Sequence, residues 1–156
     1  MTTLTPKDAR GFFMLPQGYE GGGYYVYGTP DQGAAQYAHP DMMTLIMSVA
    51  SRWQYADMRK FGIGNLSLAG GTKFPKHETH RSGLEVDVRA IRKDGKQSPC
   101  NRYHAQYDYD ATKRLITLFI MSGRVKNILF NDLHVPGVSY YTDHDDHFHV
   151  SALRGI

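Results

Sequence analysis

Three histidines and two aspartates fall within seven positions at His144-Asp145-Asp146-His147-Phe148-His149-Val150. In an extended chain alternate side chains share a face, so His147 and His149 point the same way. Two imidazoles on one face can share a metal ion, or one can bind it while the other handles protons. Either use needs partners from elsewhere in the chain. His77 and His80 supply candidates in a Gly-bounded loop, and Asp87 follows on an alternating segment. His80, Asp87 and one histidine of the final segment would make a two-histidine, one-carboxylate set. Such a set suits zinc at about 2.0–2.2 Å and leaves a fourth position for water. Bound water then has a pKa of about 7, which generates hydroxide near neutral pH. The remaining histidines could take its proton or stabilise an oxyanion. A structural site would close with four ligands, whereas here ionisable groups are left over, and the pattern favours catalysis. His39, His104 and His134 are scattered and read as surface or structural residues.

The elements that must position these groups are legible from periodicity. Pro40 suits a first helical position, Asp41 the positive helix end and His39 the cap. Met42, Leu45, Ile46, Val49 and Trp53 recur at three- and four-residue steps and predict a buried helical stripe ending before Phe61. Residues 62–68 read as a strand. Residues 84–91 alternate, with Leu84, Val86, Val88 and Ala90 on one face and Glu85, Asp87, Arg89 and Ile91 on the other. A second helix starts at Asp108 or Asp110, with Leu115, Leu118 and Phe119 lining one side, and stops at Gly123. Residues 24–27, 125–130 and 146–151 read as further strands. In the last of these, alternation places Asp146 on the face away from His149. The expected class is α+β, a small antiparallel sheet with two main helices. The chain reads as one domain over 1–156, with a loop-rich segment at 1–35 that includes Gln17-Gly18-Tyr19-Glu20-Gly21-Gly22-Gly23.

Composition narrows the partners. The chain has 156 residues, a net charge of +3 and a hydrophobic fraction of 41%. That mild basicity suits a polyanion, but no Arg/Lys run marks a nucleic-acid patch, and none is expected as partner. Cys100 is the only cysteine, which excludes an intramolecular disulfide and a cysteine-based zinc site. No apolar run approaches the roughly 18–20 residues of a membrane span. The first residues lack a basic and then apolar signal pattern, so synthesis as a cytoplasmic, non-membrane protein is expected.

At Gly70-Gly71 and Pro75-Lys76-His77-Glu78-Thr79-His80-Arg81-Ser82-Gly83-Leu84-Glu85-Val86-Asp87-Val88-Arg89 the sequence resembles the penicillin-insensitive murein endopeptidases. The ending His144–Val150 is similar to that family's second motif, and residues 64–68 and 128–131 also look related. The resemblance spans about residues 60–152 and places the chain in the lysostaphin and D-Ala-D-Ala metallopeptidase group. It implies zinc held by His80, Asp87 and His149, with His147 beside it in catalysis and His77 and His144 near the metal. Related D-Ala-D-Ala peptidases use a carboxylate three residues before the last ligand as base, the position of Asp146 here. Strand alternation favours His147 instead. Asn65 stands where relatives often have Asp, and the first sixty residues are shorter than in secreted members.

The resemblance implies hydrolysis of a peptide bond in peptidoglycan stem peptides or cross-links. A wall hydrolase without an export signal fits a phage endolysin released with a holin. It also fits a toxin carried by a secretion system and paired with an immunity protein. Two other classes compete. His77-Glu78-Thr79 and His149-Val150-Ser151 each fit the His-x-Thr/Ser pattern of metal-independent cyclic phosphodiesterases, but that reading leaves His80, Asp87 and His147 without roles. A non-catalytic wall-binding module stabilised by a metal would leave the extra ionisable groups unused.

Overall fold

The computed structural model describes residues 7–18, 22–28, 33–73, 75 and 79–155. Part of the expected N-terminal loop (Tyr19, Glu20 and Gly21) and the candidate His77 lie outside the described residues.

Among the described residues, seven strands and two α-helices follow one another as β1 (Phe13–Met14), β2 (Tyr24–Val26), β3 (Tyr37–Ala38), α1 (Pro40–Ala56), β4 (Phe61–Ile63), β5 (Glu85–Arg89), α2 (Tyr109–Met121), β6 (Val125–Leu129) and β7 (His147–Ala152). The main sheet has the order β2-β4-β5-β7-β6, and β1 pairs with β3 in a separate ribbon. Neighbours in the main sheet run antiparallel except β2 and β4, which are parallel. This is the expected α+β architecture, with one parallel pair at its edge.

Helix α1 begins as its sequence dictates. The His39 ring accepts from the Asp41 N–H at 3.1 Å, and Pro40 occupies the first turn. Its apolar stripe of Met42, Leu45, Ile46, Val49 and Trp53 is buried. Helix α2 is capped by Asp108, whose carboxylate accepts from the Ala111 N–H at 2.9 Å, a cap worth about 1 kcal/mol. Gly123, at φ 71°, then takes the left-handed conformation that ends the helix. Arg59 joins the helix ends, reaching Asp57 at 2.7 Å and Asp108 at 2.8 Å.

Both helices lie against one face of the sheet. Trp53 meets Phe61 edge-on, Phe61 meets Phe119, and Phe119 meets Phe148, with centroids 6.4, 6.3 and 5.8 Å apart. Phe61, Ile63, Val86, Val88, Phe148 and Val150 all turn to this side and are fully buried. The alternate residues of the same strands form the opposite face, which neither α1 nor α2 covers.

The strand expected over 62–68 ends at Ile63. Gly64 N–H donates to the Asp87 carbonyl and Asp87 N–H donates to the Asn65 carbonyl. Two residues thus face one, the pattern of a bulge. The chain then changes partners: Leu66 N–H donates to the Ala35 carbonyl, and Tyr37 N–H donates to the Ser67 carbonyl. Alternation in the sequence cannot register such a change, because it occurs in the partner.

Candidate active site

The uncovered face carries the ionisable residues in register. Across β5 and β7, Glu85 stands opposite Ser151, Asp87 opposite His149, and Arg89 opposite His147. Directly opposed side chains in an antiparallel pair have Cβ atoms about 4.5–5.5 Å apart, so these are contact pairs. Asp87 is at the centre. His80 Nε2 lies 3.2 Å from its Oδ2, His149 Nδ1 3.1 Å from its Oδ1, and His147 Nε2 3.8 Å from the same oxygen.

His80 reaches Asp87 from the turn before β5. Its Nδ1 donates to the Leu66 carbonyl at 2.9 Å, which aims Nε2 at the carboxylate. Gly83 makes the turn possible. It has φ 72°, and a Cβ there would come within 2.6 Å of the His39 backbone nitrogen. That nitrogen donates to the Gly83 carbonyl at 3.1 Å, so the site turn is fastened to the start of α1.

His80, Asp87 and His149 are all buried, and one ligand atom from each lies within 4.8 Å of the others. The donor set fits a divalent cation. With Nδ1–H given to Leu66, a neutral His80 presents the lone pair of Nε2 to the Asp87 carboxylate. Two acceptors at that separation call for a proton or a cation between them. His149 is arranged likewise: Nε2 donates to Glu85 Oε2 at 2.5 Å, and Nδ1 is left facing Asp87. A ligating histidine characteristically gives its other N–H to a carboxylate or carbonyl, and both rings do so here.

The electrostatics of the site follow from these bonds. Burial penalises the charged form of Asp87, but hydrogen bonds from His149 and His80 outweigh it and hold the carboxyl well below the usual carboxylate range. Burial also disfavours a charged His149, yet its bonds to Asp87 and Glu85 push its pKa up to about 9. His149 is thus held between two carboxylates, and a divalent cation bound there would take the place of its Nδ1 proton.

The structure brings His147 and His144 to the same place. His147 opens β7 on the uncovered face, as alternation predicts. Asp146 does not turn away. It precedes the first residue of β7, so alternation does not govern it, and its Oδ1 sits 2.8 Å from His147 Nδ1. The expected opposite-face placement of Asp146 is thereby corrected to a contact that orients His147. The His144 ring is 4.9 Å from that of His147 and 5.7 Å from that of His149. Burial, with the neighbouring imidazoles, lowers its pKa, and its Nδ1 donates to the Thr142 carbonyl at 2.8 Å. Asn131 secures this loop, donating from its backbone to the His144 carbonyl at 2.9 Å and accepting from the Tyr141 N–H at 3.1 Å.

His39 serves as a helix cap, and His104 and His134 take part in local turn contacts. Cys100 is free and buried. Glu85 was not among the sequence candidates, yet it contacts both His149 and Ser151 Oγ. Its signal was available: it shares a strand face with Asp87 at a spacing of two.

The family model of the penicillin-insensitive murein endopeptidases matches residues 14–113. The match begins well before the expected residue 60. It includes His80 and Asp87 and stops short of the His144–Val150 motif. No curated protein matches the chain. With more than half of its length matched, the chain belongs to the penicillin-insensitive murein endopeptidase family.

Proposed function

We propose that this chain is a zinc-dependent endopeptidase that hydrolyses a peptide bond in peptidoglycan stem peptides or cross-links. The observation that carries the proposal is the convergence of His80, Asp87 and His149 on one buried point, within a chain of this family. Zinc held by these three residues would supply a Lewis acid for the scissile carbonyl and an acidified water.

The chain's own groups divide the remaining work. Asp146 accepts from His147 Nδ1–H, which leaves Nε2 directed toward Asp87 and free to accept a proton from the attacking water. The same atom can then hand that proton to the leaving amine. Asp146 is a positioning residue in this scheme and His147 the proton carrier. His144 has its Nδ1 proton committed to Thr142, so when neutral its Nε2 is an acceptor. That suits it to position a substrate N–H better than to stabilise an oxyanion. His77 is proposed as a further helper, on the family resemblance alone. Glu85 and Ser151 hold His149 in the orientation that presents Nδ1.

We read residues 1–156 as one metallopeptidase domain, acting on the wall as a phage endolysin. No helix among the described residues is long and apolar enough to cross a membrane. The test is digestion of purified sacculi with zinc-loaded protein, followed by separation of the released muropeptides. Release that stops with chelator and returns with zinc is the expected result. Intact sacculi after treatment with fully zinc-loaded protein would reject the activity. Lysis on co-expression with a holin, and none without it, is expected of an endolysin.

A further inference from the structure

We infer that Arg89, stacked on Tyr27, is a docking point for a free carboxylate of the peptide substrate. This rests on the proposed function and names a feature of the substrate at the same site.

The first observation is position. Arg89 lies on the uncovered face of β5, two residues after Asp87, and stands opposite His147. A group held by its guanidinium is therefore on the same face of the sheet as the groups assigned to the reaction.

The second observation is that the guanidinium is held in place. Its carbon lies 3.8 Å from the centroid of the Tyr27 ring, and Nη1 donates to the Gln97 carbonyl at 3.3 Å. Tyr27 is fixed in turn, because it lies across Gly64, where a Cβ would come within 2.6 Å of the ring. The backbone thus gives up a side chain at residue 64 so that Tyr27 can lie flat and carry Arg89. A planar cation stacked on an aromatic face has lost little freedom that binding would still have to remove.

The third observation concerns charge. Arg10, Arg59, Arg92 and Arg114 each have an aspartate oxygen within 3.1 Å. Among the described residues, Arg89 has no such ion-pair partner. The nearby acids have other engagements: Asp146 is bonded to His147, and Asp87 to His80 and His149. Half-buried beside these groups, the guanidinium keeps donors in a fork that matches a carboxylate in two parallel bonds. Peptidoglycan stem peptides carry α- and side-chain carboxylates close to their scissile bonds, so this substrate class can use the fork.

A structural alternative is that Arg89 only balances the charge of Asp87 and Asp146. The two roles separate by experiment on the zinc-loaded full chain. Two synthetic stem peptides are compared, identical except that the carboxylate next to the scissile bond is free in one and amidated in the other. The wild type is expected to favour the free acid by about tenfold or more in kcat/KM, the scale of a charge-assisted hydrogen bond. In Arg89→Gln that ratio should collapse toward one, mainly through a raised KM on the free acid, while Arg89→Lys restores part of it. Equal turnover of both peptides by the wild type overturns the inference and leaves the proposed function standing; that comparison needs no variant to fold. A loss in Arg89→Gln that is equal on both peptides also overturns it, in favour of charge balance. A wild type that cleaves neither peptide, and releases nothing from sacculi, removes the proposed function and this inference with it.

Discussion

The two faces of the five-stranded sheet are made from the same strands and have opposite characters. Toward the helices, Val86 and Val88 of β5 meet Phe148 and Val150 of β7 in a layer without a polar atom beyond the backbone. One residue along, on the other face, Asp87 meets His149 and Arg89 meets His147. The helix-covered face gains stability from apolar area, whereas the other face carries ionisable groups held by hydrogen bonds to one another. Stability and chemistry are thus separable by residue parity along two strands, and substitutions should sort accordingly.

The largest effect is expected from the centre of the uncovered face. Asp87→Asn should abolish stoichiometric zinc binding and bring hydrolysis of sacculi to background, while circular dichroism shows the fold retained. A bound metal equivalent in that variant, measured by mass spectrometry under native conditions, would show that the ligands lie elsewhere. On the opposite face, Phe148→Ala should destabilise by about 3–5 kcal/mol through lost burial and a residual cavity. Hydrolysis per folded molecule, measured well below its melting temperature, should stay near that of the wild type. Together the two variants break the comparison if either shows the other's phenotype.

A smaller effect sharpens the same contrast within the uncovered face. Glu85→Gln removes the carboxylate that accepts from His149 Nε2–H without replacing any of the three proposed ligands. Zinc affinity, read by competition with a chromophoric chelator, should fall about 10–100-fold. An unchanged affinity would make Glu85 a bystander.

The smallest effect belongs to the helix junction. Asp57 has its pKa lowered, chiefly by the Arg59 side chain and with help from Arg114. A depressed carboxylate contributes stability that is present above its unfolded pKa of about 3.9 and is lost as pH falls through the lower folded value. Asp57→Asn should therefore cost about 1 kcal/mol at pH 7, the pair being partly solvated. Thermal melts should show the gap from wild type closing as pH falls below about 4. A gap that is constant with pH would show that the charge on Asp57 contributes nothing.

Much of this arrangement was legible in the sequence, and the reasons are local. The cap at His39, the cap at Asp108 and the apolar stripes follow from backbone hydrogen-bonding needs and helical periodicity, which act within a few residues. The convergence of His80 and Asp87 with a histidine of the final strand was readable because a turn and two alternating strands constrain where side chains point, and the choice of His149 came from the family resemblance. Asp146 was misplaced because period-two reasoning was applied one residue beyond the strand. The early end of β4 and the parallel β2–β4 pair depend on partners distant in sequence, and no local pattern encodes them. Glu85 and Arg89 were placed on the correct face, but their roles depend on cross-strand register, which emerges only when β5 and β7 are paired.

The central claim is that a metal held by His80, Asp87 and His149 drives hydrolysis of a peptide bond in peptidoglycan. Mass spectrometry of the fragments released from purified sacculi tests it most directly, with protein that is zinc-loaded, chelated, or chelated and reloaded. The account predicts fragments cut at a peptide bond, absent from the chelated sample and restored on reloading. Fragments cut at glycosidic bonds, or release that persists undiminished in chelator, would contradict it.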